Sequence, residues 1–149
     1  MTRHDSERGA ALVELAMLMP VLLLILTGIA EFGLLFRTYE VTTNAAREGA
    51  RLAALPGNEE NDYLIVRQRV YAYLGDASLP EIRLSTITVA PEAMTIGTLS
   101  AAGVRVTIQY PYRPLFLGLA AGLMNGTFAG PITHSSSALM RVQVAAVGP

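Results

Sequence analysis

The stretch from Glu7 to Gly33, ERGAALVELAMLMPVLLLILTGIAEFG, decides the fold class. No residue between Glu14 and Glu31 carries a charge. A helix from Ala10 to Ala30 would be roughly 31 Å long, which matches the ~30 Å hydrocarbon core of a bilayer. We therefore predict a transmembrane helix over 10–36. Glu14 and Glu31 then lie near opposite membrane faces, where a bilayer tolerates a charge best.

Pro20 lies inside this predicted helix. It has no N–H to donate to the carbonyl of Ala16, so a kink or a local opening is expected there. Proline is also common in membrane helices. A functional hinge and an ordinary membrane-helix proline are both compatible with the sequence.

The helical pattern continues after the membrane segment, over 37–55. Its small residues recur at helical spacing: Ala45, Ala46, Gly49, Ala50, Ala53 and Ala54. Such a stripe lets another element approach closely, and we expect Ala46, Gly49 and Ala50 to form this packing surface. Pro56 and Gly57 then end the helix at Leu55.

The rest of the chain predicts an α+β domain over 56–149. Asn61–Gly75 predicts a second helix, with Asn61 as its N-cap and Gly75 past its end. A buried stripe is expected on this helix, formed by Val66, Val70, Tyr73 and Leu74. The fold class is therefore α+β, with a long N-terminal transmembrane helix continuing into a small domain with an antiparallel sheet.

Three segments predict the strands of this sheet: Glu81–Val89, Gly103–Tyr112 and a segment within Thr133–Val144. The second alternates most clearly, with Val104, Val106, Ile108 and Tyr110 on one face. Pro111 requires an edge position or the end of that strand. Two interpretations are open for Tyr110 and Tyr112: an exposed recognition strip or, as is more common for such tyrosines, half-burial against the core.

A second apolar segment runs from Pro114 to Gly126. It is too short to cross a membrane and fits a core helix or an interfacial loop. Ordinary core is the first interpretation, and a docking surface or a contact with lipid is the alternative.

Composition excludes several functional classes. The net charge is −1 and the arginines are scattered, so no nucleic-acid-binding surface is indicated. The chain has no cysteine and no lysine, which removes thiol chemistry, Schiff bases and phosphate-loop lysines.

His4 and His134 are too far apart in sequence to suggest a metal site. His134 and Ser135 would point to opposite faces of a strand, so we interpret them as polar strand residues. We expect no cofactor, no metal and no enzymatic activity.

The first third of the chain resembles TadE-like minor pilins, or pseudopilins, of tight-adherence (Tad/Flp) type IV pilus systems. The resemblance rests on the Arg8-Gly9 leader end, Val13-Glu14, Pro20, GIAEFG at 28–33 and NAAREGAR at 44–51. It implies a leader over 1–9 that a prepilin peptidase removes by cutting between Gly9 and Ala10. Glu14 would then pair with the N-terminal amine of a neighbouring subunit and fix the register of assembly. An aromatic residue often follows this glutamate in the family, whereas here Leu15 does.

The same resemblance implies the partners and the location. The partners are the membrane, other pilin or pseudopilin subunits, the pilus assembly machinery and the prepilin peptidase. The protein would cross the inner (cytoplasmic) membrane once, with its C-terminal domain extracytoplasmic, and either enter the pilus or stay at its base. Glu31 belongs to the family pattern. Its candidate partners are solvent at a helix cap or an arginine of a neighbouring subunit.

Two other hypotheses stay open. The chain is an uncleaved single-span envelope protein with an extracytoplasmic binding domain, or a secreted protein cleaved after Gly28-Ile29-Ala30, a small-x-small site. The mature N-terminus separates the three hypotheses: Ala10 for a pilin, Met1 or Thr2 for an anchor, and Glu31 for a secreted protein.

Overall fold

The computed structural model describes residues 3–116, 118 and 130–143. This part of the chain is α+β, as predicted: a long apolar helix, a second helix and an antiparallel three-stranded sheet. The elements are α1 (Arg3–Ala53), α2 (Glu60–Asp76), a short 3-10 helix (Ile82–Leu84), β1 (Thr86–Ile96), β2 (Leu99–Tyr112) and β3 (Ile132–Arg141).

Helix α1 starts seven residues before the predicted Ala10 and ends two residues before the predicted Leu55. Carbonyls in the last turn of α1 and directly after it find partners outside the helix, as helix ends require. Asn58 Nδ2 donates to the carbonyl of Leu52 at 2.7 Å. The backbone N–H of Gln143 donates to the carbonyl of Ala54 at 2.8 Å. The end of α1 is therefore fixed both locally and by the segment that follows β3.

The chain divides into two compact units. The first comprises Met1–Leu34 and Pro114–Gly130, and the second comprises Leu35–Arg113 and Pro131–Pro149. In the first unit, all large hydrophobic side chains of α1 between Leu12 and Ile29 are exposed. Within the described residues, α1 is the one helix long and apolar enough to cross a membrane.

The second unit has its core between α1, α2 and the sheet. Three alanines of α1 are fully buried: Ala45, Ala46 and Ala50. Gly49 lies on the same face, and a Cβ added there would come within 2.6 Å of Val70 Cγ2 on α2 and 3.3 Å of Val106 Cγ1 on β2. The three elements therefore meet at a point with no room for a side chain on α1.

Helix α2 differs from its prediction at both ends. It starts at Glu60 with Glu59 as N-cap, so Asn61 is not the cap, and Gly75 lies inside the helix. The buried stripe is nevertheless as predicted. Three of its side chains are buried, Val66, Val70 and Leu74, and Tyr73 is partly buried against them.

The sheet has the order β1-β2-β3 with antiparallel neighbours. Alternate residues of the central strand are buried, as the sequence pattern predicted: Val104, Val106, Ile108 and Tyr110. Pairing with β1 begins only at Gln109, so Pro111 has a partner on β3 alone, Thr133. The proline thus avoids the position where a missing N–H would break a ladder on both sides. Tyr110 and Tyr112 are buried rather than half-buried.

The first predicted strand is wrong in its first half. Ile82–Leu84 form a 3-10 turn because the hydroxyl and the backbone N–H of Ser85 both donate to the carbonyl of Ile82. Strand β1 then starts at Thr86 and continues beyond Val89 into a hairpin with β2. Gly97 begins the hairpin loop with φ +63°, a conformation that glycine adopts readily.

The third strand lies close to its predicted position, starting at Ile132. Of the apolar segment Pro114–Gly126, residues 117 and 119–126 lie outside the described residues. Among its described residues, Leu115 is exposed and Pro114, Phe116 and Gly118 are partly exposed, so none of these four residues is fully buried core.

We predict that Gly49→Ala lowers the free energy of unfolding of the second unit by about 1–3 kcal/mol, because the new methyl group overpacks against Val70 and Val106. Gly75→Ala is the matched control. No atom lies within 4 Å of the added Cβ, and alanine in a helix gains about 0.5–1 kcal/mol over glycine. Denaturant unfolding of the full chain in detergent, followed by near-ultraviolet circular dichroism, measures the free energy of unfolding of both variants. Equal stabilities for the two variants would contradict the close packing at Gly49, and Val70→Ala should relieve the Gly49→Ala defect.

Candidate functional site

The residues assigned to processing lie on one exposed face of α1. Ala10 and Glu14 line the same shallow groove, together with Gly9, Val13, Met17 and Leu18. A Cβ added at Gly9 would have no neighbouring atom within 4 Å. A group formed at Ala10 would therefore lie one helical turn from the Glu14 carboxylate on the same face. The roles of these residues in processing and register stay predictions.

Pro20 is exposed on α1, and the helix continues on both sides of it. The helix therefore continues through the position where Pro20 has no N–H to donate. A hinge at this position stays a prediction.

Glu31 has a defined structural partner in the first unit. Its Oε1 accepts a hydrogen bond from the backbone N–H of Leu115 at 3.1 Å, and its Oε2 accepts one from the N–H of Phe116 at 2.8 Å. The residue is only 6% exposed. Leu115 and Phe116 are helical and follow Pro114, so their N–H groups lack acceptors in a preceding turn. A carboxylate that accepts both is a strong, charge-assisted cap.

This partner was missed by the sequence analysis. The two candidates for Glu31 were solvent and a neighbour's arginine, whereas these hydrogen bonds come from backbone groups 84 and 85 residues away. Pro114 is the one residue in the sequence that pointed to this partner. Proline is common at helix starts, and the N–H groups that follow a helix start need an acceptor outside the helix.

A second polar site joins α1 to β3 within the second unit. The hydroxyls form a chain: Thr43 Oγ1 donates to Ser136 Oγ at 3.4 Å, Ser136 Oγ lies 2.9 Å from Thr42 Oγ1, and Thr42 Oγ1 donates to the carbonyl of Thr38 at 3.0 Å. Thr42 and Ser136 are buried. Because the Thr42 proton goes to the carbonyl, Thr42 Oγ1 is left to accept from its other neighbours.

His134 completes this site. Its Nε2 lies 3.1 Å from Thr42 Oγ1, so the neutral ring with hydrogen on Nε2 fits the network. Among the described residues Nδ1 is buried without a hydrogen-bond partner, and the rings of Tyr39 and Tyr110 lie beside the imidazole. Burial lowers the pKa of His134 below its ordinary value of 6.5. Ser135 points outward and is exposed, as strand alternation predicted. The site therefore works as a polar contact between helix and sheet.

Charged side chains of the second unit pair at the surface. Glu48 lies near Arg51 and Arg69, and Glu92 on β1 pairs with Arg105 on β2. Exposed pairs of this kind contribute little to stability. Within the described residues, no group of acidic or histidine side chains has the arrangement of a metal site.

Residues 9–51 match the protein family described as TadE-like protein. The matched segment includes Gly9, Ala10, Glu14, Pro20 and Glu31, and it continues to the buried small-residue stripe of α1. No curated protein and no solved structure matches the chain. The resemblance drawn from the sequence is thereby confirmed for the first third of the chain, and a single N-terminal apolar helix fits a single-pass membrane protein.

We predict that Glu31→Ala accelerates hydrogen exchange at the amides of Leu115 and Phe116 by about tenfold to a hundredfold, because each loses a hydrogen bond to a charged group. Exchange of the full chain in detergent, read by mass spectrometry with fragmentation, measures this. Glu40→Ala is the matched control, since Glu40 is exposed on the same helix. Equal exchange rates in the two variants would contradict the cap.

We also predict that the second unit loses stability as pH falls below the ordinary histidine pKa of 6.5. The unfolded chain takes up a proton there, while native His134, with its lowered pKa, does so only at lower pH, so protons favour the unfolded state. Denaturant unfolding at a series of pH values measures the slope. In a His4→Gln background one imidazole remains, and its nuclear magnetic resonance titration gives the pKa directly. A native pKa at or above 6.5, or an unchanged slope in His134→Gln, would contradict this expectation.

Proposed function

We propose that this chain, whose residues 9–51 match the TadE-like family, is a membrane-anchored minor pilin or pseudopilin. It would take part in the assembly, priming or tip of a Tad-type pilus. The observation that carries the proposal is this match, because it covers the Gly9-Ala10 junction and Glu14 together. In this role the protein is a structural subunit and catalyses no reaction. Its partners are other pilin or pseudopilin subunits, the assembly machinery and a prepilin peptidase.

The exposed surface of α1 supports the membrane part of the proposal. Large apolar side chains such as Leu12, Met17 and Leu24 are two-thirds or more exposed. A continuous surface of this kind in water would drive aggregation, whereas lipid is its matching solvent. We propose that α1 crosses the inner membrane once and that the C-terminal domain is extracytoplasmic.

The chemistry of the Gly9-Ala10 junction supports processing. Hydrolysis of this peptide bond would leave an α-ammonium group on Ala10. The Glu14 carboxylate in an apolar medium needs a cationic or hydrogen-bonding partner, and the ammonium group of a neighbouring subunit supplies one. The pairing would set the axial register of two subunits. Gly9 also has a low helix propensity, which eases the local unwinding of α1 that a peptidase requires.

We predict that the mature chain isolated from the membranes of cells with a prepilin peptidase starts at Ala10. Gly9→Leu should block cleavage, because a side chain replaces the small residue at the junction. Glu14→Leu is the matched control, since it leaves the junction intact; it should be cleaved and then fail to enter an assembly. Intact mass and N-terminal peptide mapping measure cleavage, and cross-linking to neighbouring subunits measures assembly.

Two outcomes would contradict the proposal. A chain that starts at Met1 or Thr2 in the presence of an active peptidase would indicate an uncleaved envelope anchor. A chain that starts at Glu31 in the soluble fraction would indicate a secreted protein.

A further inference from the structure

Glu31 marks the end of the uncharged run of α1. It lies 17 residues after Glu14, or roughly 26 Å along the helix axis, which places it near the edge of the hydrocarbon core if Glu14 lies near the other edge. A carboxylate at this depth needs its oxygens satisfied. Both are hydrogen-bonded, to the N–H groups of Leu115 and Phe116.

These two hydrogen bonds fix the position of a second segment of the chain. The nitrogen of Leu115 lies 3.1 Å from one Glu31 oxygen, and that of Phe116 lies 2.8 Å from the other. Two bonds to one carboxylate hold the backbone beside α1 at the level of Glu31. Pro114, Leu115, Phe116 and Gly118, the described residues that follow Arg113, carry no charged side chain, so none of them brings an ionised group to the lipid boundary.

The side chains at this level are apolar and exposed. Ile29 is 66% exposed, Phe32 is 69% exposed and Leu115 is 64% exposed. All three belong to the first unit, as does Glu31. We call these three residues the interfacial patch. The patch continues the exposed apolar surface of the proposed span. Because it lies at the end of the span, its surroundings should be the boundary between lipid tails and headgroups.

We propose that the interfacial patch contacts lipid at the boundary between headgroups and acyl chains, and that Glu31 is the positioning residue that holds Leu115 there. The protein then has a second contact with the bilayer besides the span itself. This proposal rests on the membrane span of the proposed function but not on processing or pilus assembly. Apolar side chains of an interfacial segment bind the membrane in proportion to the area they bury.

The chain has no tryptophan, so a single introduced tryptophan reports its own surroundings. The test places Leu115→Trp in the full chain, reconstituted into phosphatidylcholine vesicles with and without brominated acyl chains. We expect blue-shifted emission that bromine near the headgroup boundary quenches. Adding Glu31→Ala should shift the emission to the red and abolish the quenching, because the segment is no longer held at α1.

Two further single-tryptophan variants separate this proposal from its premise. Ile25→Trp reports the span. Bromine deep in the acyl chains should quench its emission equally with and without Glu31→Ala. Phe32→Trp reports the part of the patch on α1, and it should also stay quenched when Glu31 is removed. Both side chains are exposed in the native protein, so tryptophan fits without repacking.

Three results would overturn the proposal. Water-like, unquenched emission from Leu115→Trp beside a quenched Ile25→Trp would remove the lipid contact and leave the span intact. Quenching of Leu115→Trp that persists in Glu31→Ala would remove the positioning role of Glu31. An unquenched Ile25→Trp would overturn the span and this proposal together.

Discussion

Helix α1 has to satisfy two different environments along one continuous helix. Its first part presents large apolar side chains that no other part of the described chain covers. Its last part presents alanine and glycine, which are buried against α2 and the sheet. Side-chain size therefore changes along the helix with the kind of neighbour: bulky where the neighbour is fluid lipid, as we propose, and small where the neighbour is another rigid backbone. The rest of the structure depends on this change, because the buried alanines of α1 belong to the same core cluster as the buried residues of α2 and the sheet.

Polar groups on α1 then specify which distant segments lie beside it. Glu31 binds the backbone at Leu115 and Phe116, and Thr42 binds His134 and Ser136 of β3. A buried hydroxyl or carboxylate loses its hydrogen bonds when its partner moves. The two sites thus define position within their own units, while apolar side chains such as Tyr110, Leu74 and Ile108 form the core of the second unit. His134 makes one of these sites sensitive to protonation, since its buried Nδ1 has no acceptor for an added hydrogen among the described residues.

The parts of the fold that the sequence predicted are those with a strong local pattern. The uncharged run before Glu31, the small-residue stripe around Gly49 and the alternation from Val104 to Tyr110 each follow from side-chain periodicity. The errors concern where an element begins. Ser85 closes a 3-10 turn in a segment of high strand propensity, and α2 begins at Glu60 although Asn61 is the better capping residue. No periodic signal marks either choice.

The sequence by itself determined that this chain has a long apolar helix with a glutamate near each end, a small α+β domain and a TadE-like first third, because length, charge and periodicity are properties of contiguous residues. Only the tertiary structure decided what Glu31 and His134 do. Their partners lie 84 and 92 residues away, and the groups that bind Glu31 are backbone N–H groups, which every residue except proline carries. Because nearly every residue carries this donor, the sequence does not indicate which N–H groups bind Glu31. Only the folded structure identifies them.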